Sequence, residues 1–238
     1  MNQHLFLRAI EINKPQNLKT FPFCLPTINQ LEKMIFNKKV TFFVGENGAG
    51  KSTLLEGIAV SMGFNPEGGS RGLQFSTQDS HSLLHEYIRP IRGASRMKDG
   101  YFLRSESFYN LSTAIDEVGA VEFYGDESLH EKSHGEGIMA LFSNRLYGKG
   151  LYIFDEPESG LSPVSLFTLL RMIHALTEDD SQFIIATHSP LLLAYPNAEI
   201  YEFKDSSITA ISYKDSEIYN LYKRVLDDST FISNLIED

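Results

Sequence analysis

The stretch Gly45-Glu46-Asn47-Gly48-Ala49-Gly50-Lys51-Ser52-Thr53 constrains this chain more than any other part of it. It follows the apolar run Val40-Thr41-Phe42-Phe43-Val44 and precedes Lys51 to Met62, where Leu54, Leu55, Ile58 and Ala59 recur at helical spacing. The residues match the pattern G-x4-G-K-[ST] in the strand–loop–helix setting that gives the pattern its meaning. Glycines let the backbone turn its N–H groups inward, and a helix start adds a favourable dipole, so such a loop is an anion nest. Lys51 is spaced to reach bound phosphate, and Ser52 to offer its hydroxyl to Mg²⁺, an ion that takes few protein ligands. The competing reading is a glycine-rich turn that binds nothing; the lysine and the flanking elements weigh against it.

The order of elements points to an α/β fold. Residues 4–12 read as a first strand, and Pro15 to Pro26 as loop and edge strand. Residues 63–100 are rich in Gly, Ser and Arg and read as irregular, with short strands at most. Tyr101-Phe102-Leu103 reads as a strand, 107–118 as a helix and Ile138 to Leu146 as another. Leu151-Tyr152-Ile153-Phe154 and Phe183-Ile184-Ile185-Ala186 are short, wholly apolar strands, separated by a helix over Val164 to Leu176. Apolar strands alternating with helices predict a mostly parallel sheet covered on both faces. Further strands are expected at Ile200–Phe203 and Ile208–Ser212, and helices at 217–227 and 230–236.

A second polar motif ends one of the apolar strands. Asp155-Glu156-Pro157 follows Phe154, which puts two carboxylates at the carboxyl end of a strand, the edge where open α/β sheets bind ligands. Asp155 suits a role in holding Mg²⁺, and Glu156 a role in polarising an attacking water. Capping of the turn before Pro157 is the plain alternative for a pair of acids.

Three further segments fall in a telling order. Ser133-His134-Gly135-Glu136-Gly137 precedes the acidic pair, Glu158-Ser159-Gly160-Leu161-Ser162 follows it directly, and Thr187-His188-Ser189-Pro190 follows the strand ending at Ala186. With the phosphate loop, this succession resembles the ABC ATPase superfamily: Walker A, signature, Walker B, D-loop and switch histidine. The Gly-Glu-Asn-Gly-Ala-Gly-Lys-Ser-Thr loop and the Ser-His-Gly-Glu signature are more similar to the soluble branch that includes RecF-like and chromosome-maintenance ATPases. Transporter subunits usually read Leu-Ser-Gly-Gly-Gln at the signature. The runs from Gly100 to Phe108 and from Leu129 to Glu136, with Asp-Glu-Pro-Glu, also resemble small stand-alone bacterial AAA-family ATPases. The resemblance extends from about Leu5 to the carboxyl terminus.

The resemblance implies a single ABC-type ATPase domain over residues 1–238, with an antiparallel β subdomain. A short helical arm at about 108–135 would end in the signature, and a strand/helix appendage would occupy about 199–238. It implies ATP and Mg²⁺ as cofactors, hydrolysis of ATP, and a homodimer that shares its ATP sites. Gly45, Glu46, Asn47, Gly48, Ala49, Gly50, Lys51, Ser52 and Thr53 would hold one nucleotide, and Ser133 and Gly135 would close on the nucleotide of the opposite subunit. Glu156 and His188 would be catalytic, His188 against the γ-phosphate; Ser52 and Asp155 would hold the metal. Where most ABC proteins carry a glutamine, this chain has Leu103-Arg104-Ser105-Glu106, so Glu106 is a third metal or water contact, with Gln74 and Gln78 as alternatives. Phe21 and Phe23 are candidates to stack on adenine. Plain helix capping at Ser133 and an ordinary turn histidine at His188 are the competing readings.

Composition bounds the partners. The formal charge of −10 argues against coating nucleic acid through the overall field, yet Arg89, Arg92, Arg96 and Lys98 form a local basic cluster. That cluster reads as a solvated or dimer-facing loop, or as a contact to a nucleic-acid backbone. A protein partner is expected and nucleic acid is left open. No apolar run is long enough to span a bilayer and no export signal is seen at the amino terminus, so membrane insertion is not expected. With Cys24 the only cysteine, a reducing, cytoplasmic setting is expected. The interval from Phe108 to Ser133 has room for a helix and a loop but not for a long coiled-coil arm. The residues after Pro190 are too few for an added nuclease domain. The histidines show no metal-ligand spacing. Three functions compete: a soluble ATPase that drives a partner in DNA maintenance or anti-phage defence, a nucleotide-gated binding module with slow hydrolysis, and a transporter ATPase subunit.

Overall fold

The computed structural model describes residues 4–16, 19–71, 82–125, 127–228 and 230–237. Its strands are β1 (Leu7–Ile12), β2 (Lys33–Ile35), β3 (Val40–Gly45), β4 (Gly69–Ser70), β5 (Ile88–Arg92), β6 (Asp99–Arg104), β7 (Gly150–Asp155), β8 (Gln182–Ala186), β9 (Glu199–Lys204) and β10 (Ser207–Ile211). Its α-helices are α1 (Pro26–Gln30), α2 (Lys51–Ser61), α3 (Leu84–Tyr87), α4 (Phe108–Glu117), α5 (His134–Asn144), α6 (Pro163–Glu178), α7 (Pro190–Leu193), α8 (Glu217–Asp227) and α9 (Phe231–Glu237).

The central sheet runs β10-β9-β3-β8-β7-β6-β4. Pairing is parallel from β9 through β3, β8 and β7 to β6, and antiparallel only at the two edge pairs. Parallel strands need crossovers, and the crossovers put helices on both faces, which is why β3, β7 and β8 are buried almost throughout and mostly apolar. Alternate residues then feed two separate cores. Phe43, Ile153 and Ile184 face Leu54, Leu55 and Ile58 of α2, while Phe42, Phe154 and Ile185 face Ile138, Leu141 and Leu169 of α5 and α6. The registers Phe43↔Ala186 and Asp155↔Ala186 level the carboxyl ends of β3, β8 and β7, so everything that follows them emerges on one edge.

The antiparallel β2-β1-β5 sheet is the expected β subdomain. It shares a core with the central sheet, and one buried side chain bonds the two directly. Gln182, at the start of β8, accepts from the N–H of Phe6 and of Leu7, each at 2.9 Å, and donates to the Leu7 carbonyl at 2.8 Å. A carboxamide carries both an acceptor and donors, so it satisfies backbone groups of both kinds at once.

The structure departs from the sequence expectations in four places. Described residues between Pro15 and Pro26 form turns and no edge strand; Pro26 instead opens α1, since proline suits a first helical turn. The described part of 63–100 goes beyond the short strands allowed for it, since α3 (Leu84–Tyr87) forms a helical turn before Ile88–Arg92 pairs along β1. In that pairing Arg89 is opposite Glu11 and bonds its carboxylate, so the expected arginine cluster is part strand and part ion pair. Finally, β9 and β10 are not an appendage. They extend the central sheet, with β9 parallel to β3 and hydrogen-bonded along it. Among the described residues no helix is long and apolar enough to cross a membrane.

The Gln182 tie makes a direct prediction. Gln182→Leu fills similar space but leaves the buried N–H groups of Phe6 and Leu7 without acceptors, so chemical denaturation should show a loss of about 2–5 kcal/mol. A change below about 0.5 kcal/mol, the range of an ordinary surface substitution, would mean that the two sheets hold together without it.

Candidate functional site

The loop between β3 and α2 owes its path to backbone freedom. Gly48 and Gly50 have φ of +80° and +97°, where an L side chain is strained. A Cβ at Gly50 would also stand 3.1 Å from Thr27 Oγ1, because α1 packs under the loop. Thr27 Oγ1 donates to the Ala49 carbonyl at 2.5 Å and braces the nest from outside. Glu46, Asn47 and Gly48 remain exposed. The first turn of α2 has neither a side-chain cap nor an acidic residue, so its N–H groups are left for an anion.

Lys51, only 5% exposed, donates to the carbonyls of Gly45 (2.7 Å) and Glu46 (2.9 Å). Burial lowers its pKa, while Glu156, Asp155 and Glu158 pull the other way. Ser52, the next residue, donates to Asp155 Oδ1 at 3.1 Å, which joins the helix start to the end of β7. Asp155 is 7% exposed. Burial pushes its carboxyl up to about 6; the Ser52 hydrogen bond opposes this, Glu156 and Glu106 add to it and Arg104 relieves it. A buried carboxylate beside a hydroxyl, with no cation bonded to it, is a donor set that a divalent ion would complete. Among the described residues no group of three His, Cys, Asp or Glu could hold a metal alone, so the ion's other ligands would be phosphate and water.

Glu156 has φ +51°, an uncommon value for a residue with a side chain. Its N–H bonds the Ala186 carbonyl at 2.9 Å, and Ser105 Oγ donates to the carbonyls of Asp155 (2.8 Å) and Glu156 (2.9 Å), so the turn is fixed from both neighbouring strands. Conformations of this kind cost about 1–3 kcal/mol and persist where the surroundings impose them. Here the result is that Glu156 Oε1 lies 3.8 Å from His188 Nε2. The pair is not an ion pair at neutral pH. Burial lowers the imidazole pKa, Lys51 lowers it further, and Glu156 offsets only part. His188 Nε2 is buried with no hydrogen-bond partner.

Two other sequence candidates fare differently. Ser133 is the N-cap of α5 in a capping box: Glu136 N–H bonds Ser133 Oγ at 3.4 Å, and the Glu136 carboxylate accepts from Ser133 N–H at 2.9 Å and from its hydroxyl at 2.6 Å. The plain capping reading is therefore realised within one subunit. Gly135 lies where a Cβ would stand 2.5 Å from the Gly160 carbonyl, so the start of α5 rests on the turn after β7. The far end of α5 is anchored by Arg145, whose guanidinium pairs with Asp99 at 3.0 Å.

Glu106 and Phe23 are corrections. The Glu106 side chain is 80% exposed and pairs with Arg104 at 3.3 Å; it reaches the site through its field on Asp155 rather than by contact. Arg104 draws it outward, while its other nitrogen pairs with the buried Glu56 at 2.8 Å. Phe23 is 2% exposed and packs edge-on against Tyr87, 5.0 Å between centroids, so no face is open to a base. Phe21, 59% exposed, keeps its face free. Gln74 and Gln78 lie outside the described residues. Thr27 escaped the sequence reading, and Arg104, Ser105 and Glu158 stood in quoted segments with no role of their own, since no spacing rule links them to the groups they touch.

Comparison with known proteins follows the same lines. Residues 136–194 match a family described as "AAA domain, putative AbiEii toxin, Type IV TA system". The ABC transporter G family member STR2 of Petunia hybrida is 27% identical over 170 residues, which are 63% of this chain but 24% of that protein, so the chain spans about a quarter of its length. The lipoprotein-releasing system ATP-binding protein LolD of Buchnera aphidicola subsp. Schizaphis graminum is 22% identical over 238 residues, covering 86% of this chain and 100% of its own. A solved ATP-binding cassette of an ABC transporter superposes with a TM-score of 0.50 at 17% identity, covering 96% of this chain and 98% of that one. That likeness establishes the fold.

The raised Asp155 carboxyl generates a stability test. A folded pKa of about 6 against an ordinary value of 3.8 means that ionisation opposes folding, a penalty that grows from about pH 4 and is complete above about pH 6. Asp155→Asn keeps an acceptor for Ser52 and removes the charge. In metal-free buffer it should stabilise the fold by about 3 kcal/mol at pH 7–8 and by only about 0.5 kcal/mol near pH 4. An equal effect at both pH values, measured by denaturant titration, would contradict this assignment.

Proposed function

We propose that this ABC-type P-loop ATPase closes as a head-to-tail homodimer around Mg-ATP and hydrolyses it. One observation carries the reading. Glu156 is held in a left-handed conformation that brings its carboxylate beside His188, next to the buried Ser52–Asp155 pair and Lys51. A phosphate cradle, a metal-binding pair and a general base therefore share one sheet edge.

In this reading the N–H groups of Gly48 to Thr53 take the β- and γ-phosphates, and Lys51 exchanges the Gly45 and Glu46 carbonyls for phosphate oxygens. Ser52 and Asp155 would hold Mg²⁺, which would supply positive charge to the phosphate oxygens. Glu156 accepts a proton from water as the water oxygen bonds to the γ-phosphorus and the bond from that phosphorus to the β–γ bridging oxygen breaks. The uncharged imidazole of His188 offers Nε2 to a γ-phosphate oxygen. Ser133 and Gly135 of a second copy complete the site, the uncapped start of α2 meeting phosphate from one side and the start of α5 from the other. Phe21 is the side chain with an open face for adenine.

Closure and opening of such a dimer would drive a partner. The description of the matched family, with its type IV toxin–antitoxin system, favours genome defence, or DNA maintenance, as the setting. A nucleotide-gated module with slow hydrolysis uses the same residues and differs only in rate. The names of the petunia and Buchnera relatives favour a second reading, the ATPase subunit of a transporter. Against it stand Ser133-His134-Gly135-Glu136-Gly137 at the signature and Leu103-Arg104-Ser105-Glu106 where a glutamine is usual. Nucleic acid remains a partner class through Arg92 and Arg96, both exposed, whereas Arg89 is occupied by Glu11.

Substitution of Glu156 tests the chemistry. Glu156→Gln should bind ATP as wild type does and lose roughly 10²–10⁴-fold in single-turnover hydrolysis, the usual contribution of a catalytic base. Hydrolysis at the wild-type rate would remove Glu156 from that role.

A further inference from the structure

Glu158 takes no part in the reaction as drawn, yet it is the side chain that joins the turn after β7 to the loop after β8. Its Oε1 accepts from Thr187 Oγ1 at 2.6 Å and from the His188 N–H at 2.7 Å. Thr187 Oγ1 in turn accepts from the Ser189 N–H at 2.9 Å, so one carboxylate oxygen organises three consecutive residues. Its other oxygen, Oε2, is buried with no hydrogen-bond partner. Burial raises the Glu158 carboxyl, and Glu156 adds to this, although the Thr187 and His188 donors and its own N–H pull it down. A polar group is rarely left half satisfied in a buried site unless the arrangement serves something other than stability.

What the bonds fix is the backbone at Thr187 and His188, and with it the direction of the imidazole. We infer that Glu158 is a positioning residue for hydrolysis, holding the Thr187–His188 segment so that His188 faces Glu156. The bonds to Glu158 are short, as expected when one partner is charged, and they reach across from a neighbouring strand end. Without them the segment keeps the Thr187 N–H to Phe43 carbonyl bond at 3.1 Å, which holds the strand end but not the turn beyond it. Small displacements matter here, because a reacting group moved by about 1 Å loses ~100-fold in rate.

The inference rests on the proposed ATPase site, and its test separates the two. Glu158→Ala should lower kcat for ATP by ~100-fold with KM little changed, since Glu158 holds the histidine loop rather than the nucleotide. Glu158→Gln removes the same charge, including its field on Lys51, but keeps an acceptor at Oε1; it should recover to within ~10-fold of wild type. The difference between the two variants thus reports the hydrogen bonds alone. Thr187→Val, which removes one of the donors, should lower kcat in the same direction. The Glu158→Ala/Thr187→Val double variant should be no slower than Glu158→Ala, because both changes free the same segment. Equal rates for the alanine and glutamine variants, a loss confined to KM, or additive losses in the double variant would each overturn the positioning role. If Glu156→Gln is inactive while Glu158→Ala turns over normally, only this inference falls. If Glu156→Gln hydrolyses normally, the proposed function falls with it.

Discussion

Desolvation of the Asp155 carboxylate is the constraint around which the site is arranged. An apolar strand delivers that carboxylate to the sheet edge with 7% of its surface exposed, and burial pushes its pKa to about 6. The neighbours respond in ways that the strand alone does not require. Ser52 bonds it, Ser105 grips its backbone, and Arg104 sits opposite it in register. None of these neutralises the charge by direct contact, so the edge is left wanting a cation. Lys51, buried beside it and bonded only to backbone carbonyls, is equally short of an anion. An ion pair between the two would stabilise the chain and close the site. The geometry instead keeps them apart, each bonded to neutral groups, which is the arrangement a metal-bound polyphosphate would complete.

The two halves of the sheet edge are tied by backbone strain and by few side chains. Glu156 adopts its left-handed turn against the Ala186 carbonyl, and Glu158 reaches from the same turn to Thr187 and His188. The start of α5 rests on Gly160, a little further along that turn. Residues 155–162 therefore include one member of the Ser52–Asp155 pair and touch the histidine loop and the segment proposed to meet a second subunit. Few other stretches of this length touch so many parts of the site, and the chain keeps it rigid with bonds from both flanking strands.

Much of this was legible in the sequence, for identifiable reasons. The phosphate loop shows itself because glycines at fixed spacing are required by positive φ, and no other residue substitutes freely. The apolar strands β3, β7 and β8 show themselves because parallel strands covered on both faces lose their alternation. What stayed hidden depends on pairs far apart in the chain. Gln182 and Leu7 lie 175 residues apart in the chain, and no sequence pattern links them before the fold brings β8 to β1. Glu158 stands in the run after the acidic pair, but its bonds to Thr187 and His188 show only once β8 is placed beside β7. Phe23 and Phe21 look alike in sequence, and only packing against Tyr87 decides which is core. The last two strands, β9 and β10, look like an addition because they come late in the chain, yet β9 pairs with the very strand that carries the phosphate loop.

The central claim is that a complete site takes Lys51 from one subunit and Ser133 from another, and complementation in a mixed dimer tests it most directly. A Lys51→Ala chain lacks the phosphate cation, and a Ser133→Arg chain places a bulky charge at the start of α5; each alone should be inactive. When the two are mixed and pair, one of the two composite sites combines an intact phosphate loop with an intact signature, and ATP hydrolysis should reappear. No recovery in a mixture shown to contain heterodimers, or full activity of the Ser133→Arg chain as a monomer, would contradict a site shared between subunits.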